Sequence, residues 1–113
     1  MEPKRDLIKG SSNSLLLSLL DSKTMYGYQI VKELEARSEG YFKFKEGTLY
    51  PALHRLEKSG LISSKWELLA NGRQRRNYNI TDKGRAKLVQ EKTQWLDFFN
   101  AISLVLQPTK SSV

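Results

Sequence analysis

The 113-residue chain contains no cysteine. Disulfides, thiolate nucleophiles and cysteine metal sites are therefore excluded, and the absence fits a reducing cytosol, so a cytoplasmic protein is expected. Histidine occurs once, at His54. A zinc site would have to draw nearly all its ligands from carboxylates, which is unusual, so no metal is expected. No Ser/His/Asp set and no phosphate-cradling glycine loop is present, so an enzyme is not expected and no cofactor is implied. Glu33, Glu35, Glu46 and Glu57 read as solvated charges or helix caps. Long hydrophobic runs are also missing. Leu15 to Leu20 is apolar but far too short to span a membrane, and it lacks the small-residue cleavage pattern of a signal peptide. No internal repeat is visible.

Positive charge is plentiful. Nineteen Lys and Arg stand against 12 Asp and Glu, giving a formal net charge of +7 and a pI near 9.7. An anionic partner follows as an expectation, although charge by itself is weak evidence. The length suits a single domain with a modest core.

The stretch around which the chain is organised runs from Glu46 to Gly60. Leu49, Leu53 and Leu56 fall at i, i+4 and i+7 and line one stripe of a helix expected over Thr48 to Ser59. Thr48 is its expected N-cap, Pro51 falls in its first turn, and Gly60 supplies the left-handed residue that ends it. The other face carries Tyr50, Pro51, His54, Arg55 and Lys58. Hydroxyls, an imidazole and cations on one helix face suit the major groove of DNA; the alternative is an ordinary amphipathic helix with a solvated polar face.

Upstream, Met1 to Asp6 is polar and read as frayed, and Leu7 to Leu20 reads as a first helix with Leu16, Leu19 and Leu20 on its stripe. Gly10 to Ser14 are poor helix formers in a row, so a helix containing them needs tertiary support or starts late. Their small side chains would also admit a close neighbour. A second helix is expected over Met25 to Arg37, with Tyr26, Ile30, Val31 and Leu34 buried. Gly27 is costly within it, which points to close packing or to close approach of a phosphate at the helix N-terminus. Tyr41 to Lys45 alternates aromatic and cation and reads as a short strand.

Downstream, Leu61 to Leu69 and Arg73 to Ile80 read as two strands joined through Ala70-Asn71-Gly72, where Asn-Gly is a strong hairpin signal. Arg73, Arg75 and Arg76 crowd the tip and the returning strand. Cations there, straight after a recognition helix, are what a wing touching DNA phosphates requires; the alternative is an edge hairpin with gatekeeping charges. Thr81 caps the last helix and Asp82 suits its positive end. Leu88, Trp95 and Ile102 recur every seven residues along it, beside Val89, Phe98, Phe99, Val105 and Leu106. So long an apolar stripe predicts a partner helix, most simply its own copy in a two-fold dimer, or packing back onto the first helix.

Helix, helix, short strand, helix and hairpin is the winged helix-turn-helix plan. The expected fold is α+β, mostly helical: a winged-helix DNA-binding domain over 1–80, a C-terminal dimerisation helix over 81–106 and a disordered tail over 107–113. The expected partners are double-stranded DNA and a second copy, with half-sites about one helical turn (~34 Å) apart. Arg73, Arg75, Arg76 and Lys45 are the candidate phosphate contacts. His54 and Arg55, then Thr48 and Lys58, are the candidates for base edges, and Tyr50 for a phosphate at the helix start.

The runs M-Y-G-Y-Q-I at Met25 to Ile30, E-G-T-L-Y-P-A-L-H-R-L-E at Glu46 to Glu57, S-G-L-I at Ser59 to Ile62 and R-R-N-Y-N-I-T-D-K-G at Arg75 to Gly84 resemble the PadR-like transcriptional regulators over about Leu7 to Ile102. The resemblance implies a winged-helix repressor, dimeric through its C-terminal and N-terminal helices, with Leu16, Leu88, Trp95, Phe98, Phe99 and Ile102 as interface candidates. It also brings Tyr26 and Pro51, within the matching motifs, into the candidate DNA-binding set. With a single C-terminal helix the chain is similar to the small subgroup. In a multidrug-binding member of that subgroup a tryptophan of this helix lines a pore at the dimer centre and stacks on flat aromatic drugs. The implied effector is thus a small aromatic molecule held by Trp95 with Phe99; the same side chains could instead close the pore as a packed core.

Overall fold

A computed structural model describes residues 5–107, with side chains from residue 10 onward. The expectations for residues 1–4 and for the tail beyond Gln107 lie outside the described residues. Seven elements follow in order: α1 (Arg5–Ser22), β1 (Met25–Tyr26), α2 (Gly27–Arg37), α3 (Glu46–Lys58), β2 (Ile62–Leu68), β3 (Gln74–Ile80) and α4 (Asp82–Leu106). The strands form one antiparallel sheet in the order β1-β3-β2. The fold is the winged helix with a long C-terminal helix.

The core gathers on one side of this sheet. Leu16, Leu17, Leu19 and Leu20 of α1 meet Ile30 and Leu34 of α2, Leu49, Leu53 and Leu56 of α3, and Ile62, Tyr78 and Ile80 of the hairpin. The weak helix formers at Gly10 to Ser14 do lie in α1, and α4 supports them: Ser14 Oγ donates to Glu91 and accepts from the Trp95 indole N–H at 3.0 Å. Among the described residues no helix is long and apolar enough to cross a membrane.

Two expectations for strands and helices are corrected. Tyr41 to Lys45 forms no strand. The free edge of β3 is taken instead by Met25 and Tyr26, which pair with Tyr78 and Asn77. The aromatic–cation alternation still has a physical expression, because Phe44 is buried and Phe42 packs on the core while Lys43 and Lys45 face solvent. The second helix consequently begins at Gly27, and Tyr26 leaves its buried stripe for the sheet.

The third helix begins earlier than expected. Lys45, not Thr48, is the N-cap, and it makes no side-chain cap bond. Pro51 therefore sits past the first turn, where it removes the i→i−4 donor to the Gly47 carbonyl. At the other end Gly60 adopts φ 77°, with Leu61 N donating to Leu56 O and Gly60 N to Glu57 O, both at 3.0 Å. This pair of hydrogen bonds takes up two of the carbonyls that end the helix. The hairpin turns through Ala70-Asn71-Gly72 as expected, a three-residue loop in which Gly72 alone takes a positive φ.

The start of α4 is fastened to the end of α3. Thr81 Oγ1 caps the helix by accepting from Gly84 N at 3.0 Å and donates to Gly60 O at 2.7 Å. Thr81 N donates to Leu61 O, and Lys83 Nζ to Ser59 O at 2.8 Å. A Cβ on Gly84 would lie 2.0 Å from Leu61 O. Backbone cannot yield as a flexible side chain can, so Gly84→Ala is expected to cost about 3 kcal/mol and lower Tm by roughly 10 °C. Gly47→Ala, where a Cβ meets nothing within 4 Å, should leave stability level or raise it by up to about 1 kcal/mol. Thermal unfolding of the two variants at equal protein concentration measures the difference.

Candidate nucleic-acid interface

Burial of Leu49, Ala52, Leu53 and Leu56 fixes the orientation of α3 against the core. It turns the remaining face to solvent: Lys45, Thr48, Tyr50, Pro51, His54, Arg55 and Lys58 are all exposed. Arg55 and Lys58 occupy the last turn, where cations oppose the negative end of the helix dipole.

Tyr50 of α3 touches the start of α2. Its hydroxyl lies 2.5 Å from where a Cβ on Gly27 would stand, and its ring carbons 3.0 and 3.2 Å away. Of the two uses open to Gly27, the structure realises close packing, against the Tyr50 ring. Tyr26, just before it, donates its backbone N–H to Gln29 Oε1 at 3.1 Å and so starts α2.

The hairpin completes the surface. β1 pairs only as far as Asn77, which leaves the outer edge of β3 open from Gln74 to Arg76. Beside that edge lies a concavity of about 420 Å³, lined by Tyr26, Gly27 and Tyr28 of the α2 start, Tyr50 of α3, and Trp66, Arg75 and Arg76 of the wing. The helix face, an α2 N-terminus and a wing strand thus share one surface.

The wing arginines differ in their surroundings. Arg73, at the tip, is exposed and makes no ion pair among the described residues. Arg75 Nε donates to Glu67 Oε1 at 2.9 Å, and its guanidinium lies 4.0 Å from the centre of the Tyr26 ring. Arg76 reaches Glu57 Oε1 of α3 at 3.1 Å and Ser64 Oγ at 2.7 Å. Two of the three wing arginines expected on phosphates, Arg75 and Arg76, therefore rest on carboxylates. Burial raises the Tyr78 hydroxyl pKa, against a smaller opposing effect of Arg76.

The interface candidates of the two outer helices separate as well. Leu16 is 0% exposed and Leu88 is buried beside it in the same core, so both serve the fold of this chain rather than its surface. Trp95 is half-buried, packed edge-to-face with Phe98 and tilted against Phe99 at ring separations of 5.7 and 5.6 Å. Phe98, Phe99 and Ile102 are exposed. A concavity of about 340 Å³ adjoins them, lined by Asn13 and Ser14 of α1 and Glu91, Gln94, Trp95 and Phe98 of α4. Among the described residues no group of His, Asp or Glu could hold a metal ion.

Residues 16–90 match the sequence profile of the Transcriptional regulator PadR-like family. The chain belongs to the PadR-like family. It is similar to a transcriptional regulator from Clostridium thermocellum, with 32% identity and a TM-score of 0.82 over 90% of this chain and 99% of that one. A PadR family regulator from Eggerthella lenta is similar at 31% identity and a TM-score of 0.78, over 92% and 88%. A protein of Lysinibacillus sphaericus is 34% identical over 104 residues, covering 92% of this chain and 95% of that one. As a PadR-like protein the chain is a DNA-binding regulator of transcription.

Several residues of this surface escape sequence reasoning. Tyr28, Trp66 and Gln74 line the concavity, while Glu57, Ser64 and Glu67 hold the arginines. The available signal is the hairpin register, which sets Trp66 opposite Arg76 and Glu67 opposite Arg75. The Asn77 amide, then Arg75, hold the Glu67 carboxyl below its ordinary pKa of 4.5. A depressed folded-state pKa contributes stability that is complete above the unfolded value and is lost as pH falls through the folded one. The Glu67 carboxyl carbon is therefore expected to titrate below the ordinary glutamate value of 4.5 in an NMR pH series, and Asn77→Ala to raise its midpoint.

Proposed function

We propose that the chain is a dimeric, sequence-specific winged-helix repressor whose α3 enters the major groove. The exposure of every polar and basic side chain on the outer face of α3, next to the wing, carries this reading. His54 and Arg55 face base edges, with Thr48 and Lys58 beside them. Lys45, Arg73 and Tyr50 face phosphates, and Tyr26 and Pro51 border the same surface. Residues 1–80 act as the DNA-binding unit and 81–106 as the dimerisation helix.

The second copy is argued from α4. Beyond Leu88 its apolar side chains are largely uncovered: Val89, Leu96, Phe98, Phe99, Ile102, Leu104, Val105 and Leu106. Val105 is 82% exposed. An apolar stripe along a helix of 25 residues is more than an isolated chain keeps in water, and a two-fold partner covers it most simply. A flat aromatic effector fits the concavity beside Trp95. Its volume falls within the range of small-molecule sites, and it joins an aromatic wall to polar groups. Repression would be relieved by an effector that favours a dimer geometry with unsuitable spacing of the two α3 helices.

Fluorescence anisotropy with DNA from just upstream of the gene, against a scrambled duplex at ~50 and ~200 mM salt, tests the DNA reading. A preference of ~10³ or more, retained at the higher salt, is expected. Binding to both duplexes that collapses together with salt would mean phosphate attraction alone. For the effector, Trp95→Ala should weaken binding of proflavine, a planar cationic dye, about tenfold or more. Equal dye binding by the variant would remove Trp95 from the site.

A further inference from the structure

We infer that Arg76 is a positioning residue: with Glu57 and Ser64 it forms a polar clamp that sets the angle between the recognition helix and the wing. This rests on the reading of α3 and the wing as the DNA-binding surface.

The clamp is a closed ring of three hydrogen bonds. Arg76 Nη2 donates to Glu57 Oε1 at 3.1 Å, Arg76 Nε to Ser64 Oγ at 2.7 Å, and Ser64 Oγ to Glu57 Oε2 at 2.6 Å. Each member belongs to a different element: Glu57 to the last turn of α3, Ser64 to β2, Arg76 to β3. The guanidinium also lies over the rings of Trp66 and Tyr78, 5.5 and 5.9 Å from their centres. Its Nε, one amino group and one flat face are thus engaged inside the protein. A guanidinium committed in this way cannot offer a phosphate its Nε edge without releasing Glu57.

The position of the ring explains why it is needed. Ile62, Tyr78 and Ile80 bury the base of the hairpin, but in the outer half Trp66 is 63% and Leu68 72% exposed, and Leu69 is only half-buried. Core packing therefore fixes the base of the wing and leaves its outer half without an apolar anchor to α3. The clamp stands at that transition. On the opposite face of the hairpin, Glu67, Arg75 and Tyr26 make a similar tie to β1, so the wing is held from both sides.

A phosphate-contacting Arg76 and a positioning Arg76 predict opposite signs for one substitution. If Arg76 served DNA directly, Glu57→Gln would remove a negative charge near the phosphates, free the arginine and tighten binding. With the clamp, Glu57→Gln weakens binding although it makes the protein more positive. The test uses Glu57→Gln, Arg76→Gln and the double variant on a duplex that the wild-type protein selects from a randomised pool. Each single variant is expected to lose about tenfold in affinity and the double variant no more than either, because both break the same unit. The salt slope of Arg76→Gln should match that of wild type, whereas loss of a phosphate contact lowers it by about 1. Melting temperatures should stay within about 4 °C, as expected for an exposed pair.

Tighter binding by Glu57→Gln, or a reduced slope for Arg76→Gln, would overturn the clamp. Should wild type select no duplex, the proposed function fails, and amide hydrogen exchange decides the clamp by itself. Faster exchange at Lys65 to Gln74 in Glu57→Gln supports it, and unchanged exchange overturns it.

Discussion

The carbonyl groups of the turn that follows α3 are taken up by Thr81 and Lys83 at the start of α4, and the rest of the molecule is arranged around that junction. Ser59 O, Gly60 O and Leu61 O accept from Lys83, the Thr81 hydroxyl and the Thr81 amide in turn. A helix end left with unsatisfied carbonyls is costly, so the junction is not free to slide. Gly84 closes it, because its missing Cβ lets α4 lie directly on Leu61 O. The consequence is mechanical. The helix with the exposed polar face and the helix with the exposed apolar face are fastened to one another by these hydrogen bonds onto the Ser59–Leu61 carbonyls. A tilt imposed on α4 must therefore turn α3 or break these bonds.

Charge is distributed to the same end. The formal excess of +7 is not spread evenly over the wing, since Glu57 and Glu67 neutralise Arg76 and Arg75 where they stand. Lys45, Arg55 and Lys58 at the helix face and Arg73 at the hairpin tip make no ion pair among the described residues. Exposed ion pairs add little stability, so their use here is better sought in geometry than in energy. They hold a protruding ribbon that apolar packing does not reach.

Much of this was legible from residue spacing. Leu49, Leu53 and Leu56 announced the buried stripe of α3, Gly60 its end, and Thr81 with Asp82 the start of α4, because caps and period-3.6 stripes are local signals. The winged-helix plan followed from the order of such elements. What escaped was non-local. A two-residue strand such as Met25–Tyr26 has no period to detect, and it exists only because β3 offers an edge. Tyr41 to Lys45 carries the alternation of a strand but finds no neighbour to bond. Leu16 and Leu88 share the apolar character of true surface stripes, and only packing reveals that the core consumes them. The partners of Arg75 and Arg76 depend on the strand register and on where the last turn of α3 comes to lie. Neither is written in the composition of the wing.

The two tryptophans stand at opposite working ends of the molecule, Trp66 on the wing beneath Arg76 and Trp95 on α4 with its indole bonded to Ser14. One is largely in water and the other half-buried, so their emission differs in colour as well as in place. Replacing either with phenylalanine leaves a single intrinsic fluorophore. The chain thereby carries its own unlabelled optical reporters, one for each end, through which the order in time of events at the hairpin and along the last helix becomes observable.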